Sequence, residues 1–125
     1  MIKSVVSMLA VLAILVGVSF WEAHFITSNF NDFREKTQVV YQKVEDQIAV
    51  IDDVYALQDC WLQKKAHLHS VIPHAEIKEM DLWISETAKL VQNKEWTDAI
   101  SKLEVLLELS EQIPKTFSLR LDNIL

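Results

Sequence analysis

The sequence predicts an all-α protein: an N-terminal transmembrane helix followed by a small antiparallel helical bundle, a long helix plus a helical hairpin, with a docked C-terminal tail. Three observations carry this. The run Ser4–Trp21 holds no charge and is mostly aliphatic. One glycine and two prolines in 125 residues leave too little turn chemistry for a β-rich fold. Beyond residue 34, apolar residues recur in steps of three and four. The expected organisation is an anchor over 1–21, a juxtamembrane segment over 22–34 and an extracytoplasmic helical domain over 35–125.

At ~1.5 Å per residue the run from Ser4 to Trp21 extends about 27 Å, close to the ~30 Å hydrocarbon thickness of a bilayer. It is longer than the apolar stretch of a secretory signal. Bulky Phe20 and Trp21 stand where a cleavage site needs small residues, so an uncleaved anchor is expected. Lys3 before the run and Glu22 after it place the N-terminus in the cytoplasm and the rest outside. Phe20, Trp21 and Phe25 then fall at the outer interface, where aromatic rings anchor spans. Ala10, Ala13 and Gly17 share one stripe of the span, a pattern that lets a second helix approach closely. An ordinary lipid-facing span is the competing reading.

Asn29, Asn31 and Asp32 are weak helix formers, and Asp32 with Glu35 fits a capping box. The span is therefore expected to kink or end here, with a continuous helix as the rival. From Glu35 to about His69 there is neither Gly nor Pro, which predicts one long helix of roughly 50 Å. Its stripe is Val40, Val44, Ile48, Ile51, Tyr55 and Leu62, with Val54, Leu57, Trp61 and Leu68 as a second row. Pro73 stops that helix and opens the next. There Ile77, Met80, Ile84, Thr87 and Val91 form the apolar stripe, and Asn93 is the expected left-handed cap. The third helix starts near Glu95 or Trp96 and shows Ala99, Leu103, Leu106, Ser110 and Ile113. A connection of a few residues makes the last two helices an antiparallel hairpin. Pro114 is expected to end the third helix, and Phe117, Leu119 and Leu121 to alternate along an extended, docked tail.

Trp61, Lys64-Lys65, Leu68 and the run Ile72-Pro73-His74-Ala75-Glu76-Ile77 are similar to the middle of a family of small bacterial membrane proteins. Lys94-Glu95-Trp96-Thr97-Asp98-Ala99, Ile113-Pro114, Ser118-Leu119 and the ending Asn123-Ile124-Leu125 fit it too. The family is known only as a domain of unknown function, number four-three-six-three, mostly of Firmicutes. The resemblance runs over nearly the whole chain and includes the span. It implies a single-pass membrane protein with an outer helical domain, encoded beside a multi-span membrane protein. It assigns no activity. Family members carry an acidic-Trp turn near Val50–Val54, where this chain reads as uninterrupted helix.

The formal net charge is −6, and beyond Trp21 eighteen acidic residues stand against eleven basic ones, a net −7. Nucleic-acid binding needs Lys and Arg to neutralise phosphate, so that class is excluded. The single cysteine, Cys60, rules out an intramolecular disulfide. It reads as a small buried hydrophobe, with an intermolecular disulfide as the sharper alternative. His67, His69 and His74 lie near one another with Glu76 and Glu79, but an i, i+2 pair points to different helix faces. Polar surface at a helix turn is the reading, against metal binding. Asp52 and Asp53 diverge for the same reason. Trp61, Trp83 and Trp96 read as packing residues. A lone glycine inside the span leaves no phosphate-binding loop.

No catalytic group, metal ligand set or cofactor site emerges. The expected partners are the lipid bilayer and either a multi-span membrane protein or a second copy. The function read from this is a non-enzymatic accessory or scaffolding subunit of a membrane complex, acting through helix–helix contacts. The alternative is an extracytoplasmic sensory or small-ligand-binding domain, disfavoured because about three cytoplasmic residues cannot carry a signal by themselves. A metal-binding or enzymatic outer domain ranks last.

Overall fold

The computed structural model describes the backbone of residues 1–124 and the side chains of 1–117. The chain forms four helices: α1 (Ile2–Glu45), α2 (Ile51–Leu68), α3 (His74–Gln92) and α4 (Trp96–Ile124). Each packs against its neighbours in a closed ring, α1 on α2 and α4, and α3 on α2 and α4. Connections of three to five residues force successive helices antiparallel, giving an up-down-up-down bundle. The side-chain bridges give the register. Tyr41 meets Glu104 and Arg34 meets Glu111, so seven residues along α1 match seven along α4 in the opposite sense.

The expected kink at Asn29–Asp32 is absent. α1 is one helix of 44 residues, and Asp32 caps nothing. Tertiary packing overrides local propensity here. Ile26, Phe30, Phe33, Thr37, Val40 and Val44 put one face of α1 into the core. The polar residues are accommodated without breaking the ladder. Asn29 donates its Nδ2–H to the Phe25 carbonyl (2.7 Å), and Asp32 pairs with Lys64 at 2.7 Å and Lys36 at 3.6 Å. The segment 22–34 is thus no separate linker, because the bundle core begins at Ile26.

The single long helix expected over 35–69 is two helices. The chain reverses at Asp46–Val50, just before the Val50–Val54 stretch where family members carry a turn, and Ile51–Val54 is helical. Gln47 adopts φ 59°, its N–H donates to Val44 O (3.0 Å), and the Ile48 N–H donates to Lys43 O (3.0 Å). This is a Schellman closure with glutamine in the place that glycine usually fills. The Asp53 carboxylate accepts from the Val50 N–H (2.9 Å) and from Lys43 Nζ (2.8 Å), so one side chain caps α2 and ties it to α1. The break rotates α2 relative to the expected stripe. Val54, Leu57, Trp61 and Leu68, the second row, are buried, while Ile48, Tyr55 and Leu62 are exposed.

α3 buries the five residues expected, Ile77, Met80, Ile84, Thr87 and Val91. Its left-handed residue is Lys94 (φ 58°), one position after Asn93. α4 buries Ala99, Leu103, Leu106, Ser110 and Ile113 as expected, but Pro114 does not end it. The helix continues to Ile124 with Pro114 buried inside it, so the tail is helical and not extended. Pro114 deprives the Ser110 carbonyl of its N–H partner. Ile113 and the half-buried Phe117 hold the last turns against the core despite that loss. Leu119 and Leu121 of the expected alternation lie outside the described side chains. In the core, Thr37, Thr87 and Ser110 satisfy their hydroxyls by donating to carbonyls one turn back.

Candidate functional site

Residues 2–20 project from the bundle as bare helix. This stretch lies within the one described helix long and apolar enough to cross a membrane by length and composition. None of its apolar window is buried against the rest of the chain. Val5, Leu9, Leu12, Ile14 and Leu15 are all exposed. So large an exposed apolar surface suits contact with a membrane or with another protein. Ala10, Ala13 and Gly17 are exposed along it, and a Cβ placed on Gly17 would meet nothing within 4 Å. The stripe is therefore open to a neighbour from outside the chain.

Where the bare segment meets the bundle, aromatic rings collect. Trp21 stacks on Phe25 (ring centroids 5.5 Å, 15° between planes), and Phe25 meets His67 edge-on at 6.4 Å. Deeper in, Trp61 fills the space between α1 and α2. It packs on Phe30 at 6.1 Å and Phe33 at 5.6 Å, and its indole N–H donates to Asp81 (2.7 Å), which also accepts from Lys65 Nζ (2.7 Å). Asp81 thus joins α2 to α3 through two donors. Trp83 and Trp96 are half-buried on the α3–α4 side, and Lys102 Nζ sits 4.7 Å above the Trp83 ring.

A groove of about 580 Å³ runs between α1 and α4, lined by Thr27, Asn31, Arg34, Ser110, Glu111, Pro114 and Lys115. Arg34 reaches Glu111 at 3.6 Å, and Lys115 bonds the other carboxylate oxygen at 3.0 Å. Those cations, Lys115 first, hold the Glu111 carboxyl below its ordinary range. Among the described residues, buried Arg34 Nε has no hydrogen-bond partner. The groove is the largest of those described, and its exposed lining is mainly apolar, with Arg34, Glu111 and Lys115 as its charged groups.

The histidines do not converge. His67 faces Phe25, His69 places Nδ1 3.1 Å from the Ala66 carbonyl, and His74 opens α3. Among the described residues no group of three or more His, Cys, Asp or Glu could hold a metal ion. Cys60 is a free buried thiol. Asp52 is exposed, whereas Asp53 is the structural cap described above. The bridges through Asp81, Asp32 and Glu111 link residues 16 to 77 apart in sequence, apart from the single-turn pairs Asp32–Lys36 and Glu111–Lys115. Only those single-turn pairs could be read from spacing.

A family profile described as Domain of unknown function (DUF4363) matches residues 20–124. The chain belongs to this family. The match begins at Phe20, where the bare apolar stretch gives way to the bundle, so it covers the four-helix unit and leaves most of that stretch outside. No curated protein and no solved structure matches the chain.

Proposed function

We propose that the chain is a single-pass membrane protein that serves as an accessory or scaffolding subunit of a membrane protein complex, without catalytic activity. Its bundle stands on the extracytoplasmic side, in keeping with Lys3 before the span and the aromatic residues after it. One observation carries the reading: the bare apolar segment and the first bundle helix are a single uninterrupted helix. A soluble domain tethered only for location needs no such continuity, since a flexible linker would serve. A rigid junction fixes the orientation of the bundle relative to the bilayer, which is what a subunit presenting helix faces to a neighbour requires.

The test is affinity purification of the tagged full chain from native membranes in mild detergent. A stoichiometric multi-span partner, lost when Gly-Ser-Gly is inserted after Trp21, is the expected result. Recovery of the chain as a monomer carrying a small molecule would favour the sensory alternative. The α1–α4 groove, with Arg34, Glu111 and Lys115 along its wall, is the observation behind that second reading. Protease added to intact protoplasts should remove a C-terminal tag, and a protected tag would overturn the orientation.

A further inference from the structure

The end of the bundle nearest the anchor has a composition unlike the rest of the molecule. Although the chain carries 18 Asp and Glu, none lies between Asp59 and Glu76. That acid-free run holds Lys64, Lys65, His67, His69 and His74, and it forms the end of α2, the connection to α3 and the start of α3. The opposite end, at the α1–α2 and α3–α4 connections, gathers Glu45, Asp46, Asp52, Asp53, Glu95 and Asp98 against Lys43 and Lys94. The bundle is therefore polarised along its axis.

The register places the acid-free end level with the base of the anchor. Lys43 meets Asp53 and Lys64 meets Asp32, eleven residues apart on each helix, and Phe25 meets His67. From the Phe25–His67 contact, four further residues along each chain segment bring Val71, in the His69–Pro73 connection, to about the level of Trp21. On the other side, Arg34 meets Glu111, so an equal number of residues along each helix brings the backbone of Ile124 to the level of Trp21. α2 and α4 end, and α3 begins, near the level at which the apolar segment of α1 passes into the bundle.

We propose that this end is a docking face for a phospholipid surface, on which the bundle stands flush. The proposal rests on the reading of residues up to Trp21 as a membrane span. Three features match the face to a lipid headgroup layer. Trp, Phe and His rings combine an apolar body with, for Trp and His, a polar edge, the character that suits the membrane interface. Exposed Pro73 and half-buried Val71 add apolar surface in the connection. The connection itself carries no carboxylate, the group that an anionic lipid surface repels, whereas the far end gathers six. The nearest ones along α1 and α3 are Glu22 and Glu76, and the last turns of α4 carry one charge of each sign, Arg120 and Asp122. Lys64 and Lys65 are balanced by Asp32 and Asp81, while Glu22, Glu76 and Asp122 against Arg120 leave a net charge of about −2 around the rim, and His69 and His74 are exposed.

Nitroxide labels on the full chain test this in vesicles of phosphatidylcholine and phosphatidylglycerol. With Cys60→Ala as background, single cysteines replace Leu12, Ser70 and Gln47. The expected result is a bilayer-immersed label at 12, a label at 70 that has lost accessibility to a water-soluble nickel chelate, and a fully accessible label at 47. Adding His69→Glu and His74→Glu should restore chelate access at 70 while leaving 12 immersed. If 12 is immersed and 70 is as accessible as 47, the docking face is overturned and the anchor stands. A water-exposed label at 12 overturns the anchor and the face together. Equal protection of 70 in lipid-free amphipol would assign the face to a second copy of the chain and overturn the lipid assignment.

Discussion

Trp61→Phe separates the two contributions that Trp61 makes to the α1–α2–α3 junction. The indole is 1% exposed, touches Phe30 and Phe33, and donates to Asp81 at 2.7 Å. Phenylalanine keeps a ring in the same place and removes the donor. The smaller ring leaves a void of roughly 40 Å³, which at about 24 cal/mol per Å³ costs about 1 kcal/mol. A hydrogen bond to a charged acceptor contributes about 1.5–3 kcal/mol. Asp81 keeps Lys65 and is about one-third exposed, so water replaces part of that loss and about 1 kcal/mol remains. The expected total is about 2 kcal/mol, against about 4 kcal/mol for Trp61→Ala. Urea unfolding of the full chain in detergent, followed by circular dichroism, measures it. With a slope of about 1–2 kcal/mol per M, the midpoint should fall by about 1–2 M for Trp61→Phe. Asp81→Ala and the double variant complete the cycle, and a coupling of about 1 kcal/mol is expected. A Trp61→Phe midpoint unchanged from wild type, or strict additivity with Asp81→Ala, would refute the account of the junction.

Ile84→Asp or Leu103→Asp buries a carboxylate among α3–α4 side chains and should cost several kcal/mol, and an unchanged melting curve would place those residues at the surface. Asp53 is held below its ordinary range first by Lys43, then by the Val50 N–H, and Asp32 first by Lys64. A folded-state carboxyl below its unfolded value of ~3.9 contributes stability that is present above that value and lost as pH falls through the folded one, so unfolding should set in below about pH 4. Asp53→Asn should flatten that acid limb, and an equally steep limb in the variant would exclude Asp53 as a source. Gln47→Gly and Lys94→Gly relieve left-handed side chains at exposed positions, so each should raise stability by up to ~1 kcal/mol, whereas a loss would mean the side chains make contacts that matter. In native membranes, Gly17→Leu should reduce cross-linking of the span to a neighbour and Val11→Leu should not, and equal cross-linking would discard the Ala10–Ala13–Gly17 stripe.

Much of the fold was legible because it rests on periodicity. The buried faces of α3 and α4 follow a strict alternation of three and four, and packing has only to accept it. Most of the differences concern helix boundaries, and the rotated face of α2 follows from one of them. At Asp46–Val50 and at Lys94 the chain closes a helix with a left-handed residue that is not glycine, so the usual composition signal is absent. At Asn29–Asp32 and at Pro114 the opposite happens. Local chemistry announces a stop, and tertiary burial of Phe30, Phe33, Ile113 and Pro114 carries the helix through. The α1–α4 groove and the axial segregation of charge were not legible, since both depend on which residues antiparallel packing brings to one level. The acid-free run 60–75 is visible in the sequence, but it acquires meaning only when its position beside Trp21 is known.

An α1 without a joint also acts as a mast. The part beyond Glu22 is about 36 Å long at ~1.5 Å per residue. A 10° lean of residues 2–20 sweeps the turn at Asp46–Val50 sideways by about 6 Å, with no change inside the bundle. Spans lean by ~20° on average, and the angle follows bilayer thickness and neighbouring helices. Whatever sets the lean of the first twenty residues therefore also sets where the far end of the molecule points.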